Sequence, residues 1–150
     1  MLCDLFGTLV DDRGNAVEGA AAFLEGLPRG QWAIVTSCGS QFARALLLRA
    51  RLAIPQVLVT ADDVVQTKPS PACYLRAASG LAVPPSECLV VEDSSSGVRA
   101  AKAAGMDVVA IGRDGKTFED ANWIVGELAA LHLVANKDGT IVADREGAID

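Results

Sequence analysis

The sequence predicts an α/β fold, a three-layer α/β/α Rossmann-like domain around a mostly parallel sheet of five or six strands. Two observations predict it. Short apolar runs alternate with longer Ala- and Leu-rich runs, the rhythm of strand–helix–strand units with right-handed crossovers. The apolar residues of the short runs are nearly continuous, as expected for strands covered on both faces. Composition agrees, since 25 alanines and 5% aromatics suit close-packed helices on a sheet better than a small all-β barrel.

Taken in order, strands are expected at about 1–5 (MLCDL), 32–36 (WAIVT), 56–60 (QVLVT), 88–92 (CLVVE) and 107–111 (DVVAI). Helices are expected between them, at about 17–27, 40–51, 70–79 and 95–104. Pro69 and Pro71 stand where a first helical turn tolerates proline, and Gly80 and Gly105 are expected to stop the helices they follow. Beyond them, Trp123-Ile124-Val125 reads as an edge strand and Lys137-Asp138-Gly139 as a hairpin turn.

A length of 150 residues suits one domain spanning 1–150, with no linker, repeat or low-complexity segment. With 51% hydrophobic and 21% charged residues, the chain can build a core and is not a disordered tail. No apolar stretch reaches the roughly 18 to 20 residues of a membrane helix. A net charge of -6 and a pI of about 4.7 argue against a general nucleic-acid or acidic-membrane surface. The cysteines Cys3, Cys38, Cys73 and Cys88 form no CxxC pair and have no histidine at zinc spacing. Reduced thiols in a cytoplasmic protein are the expectation, and Met1-Leu2-Cys3 is too short for a secretory leader's apolar region.

Ligands of open parallel sheets gather beyond the carboxyl ends of the strands. The residues delivered there are Asp4 and Gly7-Thr8 after the first strand, and Thr36, Ser37, Gly39 and Ser40 after the second. Lys68-Pro69 follows the third, and Glu92-Asp93-Ser94-Ser95-Ser96-Gly97 closes the fourth. A carboxylate attacks phosphorus only when the phosphate's charge is neutralised, and this set would supply that neutralisation. Asp4 and Asp93, with a backbone carbonyl near Phe6, would hold a hard divalent ion such as Mg²⁺. Thr36 and neighbouring amides, with Ser37, would bind phosphate oxygens, and Lys68 would add a cation. Gly7 and Gly97 would let backbone approach closely. Ser94 to Ser96 read as turn and helix-capping residues, and Asp11 and Asp12 as loop carboxylates.

In this order the residues resemble the four motifs of the haloacid dehalogenase-like hydrolases. Asp4-Leu5-Phe6-Gly7-Thr8-Leu9-Val10-Asp11 looks like the first, Val35-Thr36-Ser37 the second, Lys68-Pro69 the third and Val91 to Ala101 the fourth. Trp32 to Ser37 and Thr60 to Val64 are similar to the sugar-phosphate phosphatase branch. The resemblance implies Asp4 as the nucleophile forming an aspartyl-phosphate, Thr36 on the transferring phosphate and Lys68 balancing its charge. It also implies a Mg²⁺ site of Asp4, the Phe6 carbonyl, Asp93 and Glu92, and a small phosphorylated metabolite as substrate.

Two departures stand out. Phosphatases of the family carry a general acid/base Asp two residues after the nucleophile, where this chain has Phe6, which cannot move a proton. General acid–base help is worth ~10²–10⁴ in rate, so impaired turnover is expected. A non-catalytic phosphate-binding relative is the next reading, and a 2-haloacid dehalogenase the third. The second departure is a missing cap domain, since only Asp12 to Ala16 separates Asp11 from the next helix, and Thr60 to Lys68 is equally bare. The expectation is an open site on a capless core, whether natural or trimmed, whose substrate is large, or covered by a neighbouring subunit of a homo-oligomer, or poorly selected.

Overall fold

A computed structural model of the protein describes residues 1–135 and 141–144. Six strands form one sheet: β1 (Leu2–Cys3), β2 (Ala33–Val35), β3 (Val57–Val59), β4 (Leu89–Glu92), β5 (Asp107–Ile111) and β6 (Trp123–Val125). Their order is β3-β2-β1-β4-β5-β6 and every pairing is parallel, so the sheet has the six-strand form of the expectation. Four helices join them: α1 (Ala20–Glu25), α2 (Ser40–Arg49), α3 (Ala72–Leu81) and α4 (Ser95–Ala103). A separate antiparallel pair, β7 (His132–Ala135) and β8 (Ile141–Asp144), follows. The hairpin turn expected at Lys137-Asp138-Gly139 lies outside the described residues.

Side-chain alternation along the buried strands builds two cores. Cys3, Ile34, Val91, Val109 and Ile111 point to one face and pack with Phe23 and Leu24 of α1 and Leu46 and Leu47 of α2. Leu2, Ala33, Val35, Val90, Val108 and Ala110 point to the other, against Tyr74 and Ala77 of α3 and Val98 and Ala101 of α4. Successive strand residues face opposite ways, so a strand covered on both sides must be apolar at every position. The three-layer architecture is thus written directly into the continuous runs.

Two boundaries differ from expectation for local reasons. α1 starts at Ala20 rather than near 17, because Gly19 at its entry is left-handed, with φ 82°. α3 runs through Gly80 and ends at Ala82 in a left-handed conformation (φ 55°), so Gly80 is not a stop. Its role is packing: a Cβ there would lie 2.9 Å from Val57 Cγ1, and glycine lets the helix close on β3. Gly105, by contrast, follows α4 with φ 77°, the conformation that ends a helix.

After β3 the chain turns through one 3₁₀ turn, Ala61–Asp63, tied by a reciprocal capping box. Asp63 Oδ2 accepts from the Thr60 amide at 2.9 Å and from its hydroxyl at 2.8 Å. The hydrogen bonds from the Thr60 amide and hydroxyl hold the Asp63 carboxyl below its ordinary pKa. A depressed folded value means the stabilisation is complete above the ordinary carboxylate pKa and is lost as pH falls through the lowered one. Asp63→Ala is therefore expected to cost about 1 kcal/mol at pH 7. In urea denaturation of the two proteins, the difference should narrow toward pH 3. A constant difference across that range would show that the carboxylate is not the stabilising form.

Candidate active site

The strand order 3-2-1-4-5-6 places the reversal of winding between β1 and β4, and it is beyond the carboxyl ends of such strands that open parallel sheets bind ligands. Asp4 stands directly after β1, with its amide still donating to Val91 O on β4 at 2.9 Å. Glu92 ends β4 and Asp93 follows it. Two acidic chain ends are thereby set side by side by backbone hydrogen bonding alone. Lys68 arrives from the loop after β3, and its side chain is only 4% exposed.

The Lys68 ammonium spends all three protons inside this group. It donates to Asp4 Oδ1 at 2.5 Å, to Glu92 Oε1 at 2.6 Å and to the carbonyl of Val35 at 3.0 Å. Burial alone would lower its pKa, but the charges of Asp4 and Glu92 outweigh burial and hold it above the ordinary lysine value. Burial pushes the Asp4 carboxyl up to about 7; Glu92 and Asp93 add to the rise, and Lys68 opposes it. Asp93 is raised as well, by burial first and the Glu92 charge second. Asp4 and Glu92 thus share one buried cation, with the raised Asp93 carboxyl beside them, and this crowding of negative charge favours a further cation.

Glu92 is wholly buried and accepts five hydrogen bonds. Oε1 takes Lys68 and the Tyr74 hydroxyl at 2.8 Å, while Oε2 takes the amides of Asp93 and Ser94 and the Ser94 hydroxyl, at 3.0, 3.1 and 3.0 Å. Gly97 must be glycine here, because a Cβ would fall 1.7 Å from Glu92 Oε1. Ser94 also caps α4, accepting from the Gly97 amide at 3.1 Å, as a capping residue should. Gly7 is equally constrained: its φ is 85° and a Cβ would lie 2.0 Å from Asp93 Oδ2. The loop after β1 is therefore pressed against Asp93, whose Oδ1 also accepts from the Thr8 hydroxyl at 3.2 Å.

Ligand oxygens of Asp4, Glu92 and Asp93 lie within 4.8 Å of one another. Hard oxygen donors, crowded negative charge and raised carboxyl pKa values fit a hard divalent cation such as Mg²⁺. Thr36, 4% exposed, ends β2 with its amide donating to Val59 O at 2.9 Å. Its hydroxyl accepts from the Cys38 amide at 3.4 Å rather than capping α2. Ser37 is exposed on the same loop, and the first amide of α2, at Ser40, is held instead by Asp62 Oδ2 at 2.8 Å. Phe6 is 41% exposed, and its ring stacks on Phe42 of α2 with centroids 6.4 Å apart.

Three contributors were not among the expected site residues. Tyr74 is fully buried, donates to Glu92 and lies with its ring centroid 5.1 Å from the Lys68 ammonium. In the sequence it reads as one more apolar position of α3, and nothing marks its hydroxyl. Thr8 belongs to the first motif but carries no sign that it binds Asp93. Lys116, 23 residues beyond Asp93, donates to the Asp93 carbonyl at 2.6 Å, a contact no local pattern announces.

Comparison with known proteins places this arrangement. Residues 5–105 match the haloacid dehalogenase-like hydrolases. Hexitol phosphatase A of Escherichia coli (strain K12) is 36% identical over 132 residues, covering 85% of this chain and 61% of that protein. Protein CbbY of Rhodobacter capsulatus is 42% identical over 78 residues, 50% of this chain and 34% of that protein. The crystal structure of CbbY from Rhodobacter sphaeroides in complex with phosphate aligns with a TM-score of 0.67 at 28% identity, covering 77% of this chain and 55% of that one. The chain thus spans about a third to three fifths of the length of these relatives. Motif order, doubly wound topology and a match running from the end of β1 to the end of α4 converge: the chain belongs to the haloacid dehalogenase-like hydrolases.

Proposed function

We propose that this chain is a Mg²⁺-dependent phosphohydrolase of small phosphomonoesters, working through an aspartyl-phosphate on Asp4 and slowed by Phe6. The observation that carries the reading is the Lys68 ammonium locked between Asp4, Glu92 and the Val35 carbonyl at the sheet's switch point. The likeness to Hexitol phosphatase A supports a sugar-phosphate ester as the substrate class.

In this reading Asp4 uses its second carboxylate oxygen to attack phosphorus, while Lys68 fixes the first and balances the charge of the phosphate. Thr36, Ser37 and the amides near them, with Gly7, hold the phosphate oxygens. Asp4, Asp93 and the Phe6 carbonyl would hold Mg²⁺, which when bound neutralises phosphate charge. Glu92, expected among the ligands, serves in this reading to orient Lys68, because its oxygens are already committed to five hydrogen bonds. Residues 11–19 lead straight from the first loop into α1, and one 3₁₀ turn fills 61–63, so neither stretch holds an inserted domain. That supports a single capless core over 1–150 with an open site, which a second copy of the chain would cover. Among the described residues no helix is long and apolar enough to cross a membrane. With reduced, unpaired cysteines this favours a cytoplasmic setting.

Turnover of 4-nitrophenyl phosphate should be measurable, should vanish with EDTA, and should be lost in Asp4→Asn. Parent activity no greater than that of Asp4→Asn would overturn the reading and leave a non-catalytic phosphate-binding relative. Halide release from a 2-haloacid without added metal would instead assign a dehalogenase.

A further inference from the structure

We infer that the phosphoester this site turns over best carries an aryl leaving group, seated on the Phe6–Phe42 pair and expelled as its phenolate. The inference rests on the phosphohydrolase reading above but sets an aryl ester in place of the sugar-phosphate ester given there. Two independent observations lead to it, one about surface and one about protons.

The surface observation is the aromatic pair itself. Phe6 is 41% and Phe42 54% exposed, and their rings lie at 15° to each other with centroids 6.4 Å apart. Phe6 comes two residues after Asp4, and Phe42 stands in the first turn of α2, directly beyond the loop that carries Thr36 and Ser37. The apolar platform therefore borders the edge on which the nucleophile and the phosphate-binding groups stand. A sugar would find few hydrogen-bonding groups on two phenyl rings, whereas an aromatic ring stacks on them favourably.

The proton observation concerns what the leaving oxygen can receive. Lys68 has no proton to spare, since all three are given to Asp4, Glu92 and Val35. The Tyr74 proton goes to Glu92, and Glu92 is saturated as an acceptor. Phe6 occupies the place beside the nucleophile with a side chain that has no proton at all. None of the side chains bonded to Asp4 or Glu92 has a proton free to give, so an alcohol leaving beside them goes as an alkoxide. A phenol, with a pKa of ~10 like that of tyrosine, leaves far more readily without help.

The step balances without an acid. A bond forms between an Asp4 carboxylate oxygen and phosphorus, the bond from phosphorus to the aryl oxygen breaks, and its electron pair departs as phenolate. Solvent protonates the phenolate after release. Water then hydrolyses the aspartyl-phosphate, returning the Asp4 carboxylate and inorganic phosphate.

Phenyl phosphate and cyclohexyl phosphate separate the idea, because they match in size and differ in aromaticity and leaving-group acidity. With the full chain and saturating Mg²⁺, kcat/KM for the phenyl ester should exceed that for the cyclohexyl ester by at least ~10²-fold. Phe6→Asp should narrow that ratio by restoring a proton donor. Phe42→Leu should lower kcat/KM for phenyl phosphate by ~2–10-fold, chiefly through KM, and by more than Phe42→Tyr, which retains an aromatic face. Inhibition by inorganic phosphate, measured on each variant, reports that the phosphate site is folded. Comparable rates for the two esters, or equal losses in Phe42→Leu and Phe42→Tyr, would overturn the inference and leave the phosphohydrolase reading standing. A dimer in sedimentation that Phe42→Leu dissociates would also overturn it, because the pair would then be covered by a second copy. No turnover of either ester above Asp4→Asn would overturn both readings.

Discussion

Lys68→Met should strip the protein of turnover and cost about 3–5 kcal/mol of stability, the penalty for removing one partner of a buried ion pair. Methionine fills nearly the same space, so the loss is one of charge and hydrogen bonds rather than volume. The ammonium is the one donor shared by Asp4 and Glu92, and its side chain is 4% exposed. Without it two buried carboxylates face each other with no cation between them. Asp4 already sits at about 7 with Lys68 opposing the rise. Removing that opposition drives the carboxyl further up, so at neutral pH it is protonated and cannot attack phosphorus. The sign of the pH effect follows. A folded carboxyl pKa raised further at Asp4 destabilises more as pH climbs, so in EDTA the deficit should be greatest at pH 8 and shrink toward pH 5. Urea denaturation of parent and variant across that range checks the claim. A deficit below about 1 kcal/mol at pH 8 would place Lys68 among exposed lysines, whose ion pairs are worth that little.

Phe6→Asp should work in the opposite direction and raise turnover of sugar phosphates by ~10²–10⁴, the usual contribution of a general acid/base. The backbone that would carry the new carboxyl is already fixed, with Gly7 donating to Val10 O at 2.7 Å and Gly7 pressed against Asp93. Phe6 contributes little to the core, being 41% exposed, so the exchange should leave the melting temperature within a few degrees of the parent. Steady-state assays with a panel of sugar phosphates and Mg²⁺ measure the gain. In the proposed capless reading the open site sets the other limit: with no lid to exclude water, a correct proton donor would still work in a wet site. A variant no faster than the parent would therefore make the open site, not Phe6, the main defect.

How much of this was legible in the sequence differs by element. The strands and helices were, because a strand covered on both faces leaves no polar position and so announces itself as a continuous run. Asp4, Thr36, Lys68 and Asp93 were legible as strand-end polar residues, since a parallel sheet gathers whatever follows its strands. The end of α3 was not, because Gly80 is a packing residue against Val57 and not a terminator. Nor was Tyr74, whose ring belongs to the core while its hydroxyl belongs to the site. Helical periodicity reports burial and says nothing of a polar atom at the tip of an apolar side chain.

The local pattern of side chains alone determined the α/β fold, the order of the motifs and the absence of a proton donor after Asp4. Only the tertiary structure decided what each acid does. Five hydrogen bonds fix Glu92 against Lys68, while Asp4 and Asp93 accept fewer and, in the proposed reading, keep oxygens for a cation and a phosphate. Adjacent residues of one acidic pair differ in this way because burial and hydrogen-bond supply are set by neighbours 18 to 85 positions away in the chain, at Tyr74, Lys68 and Thr8.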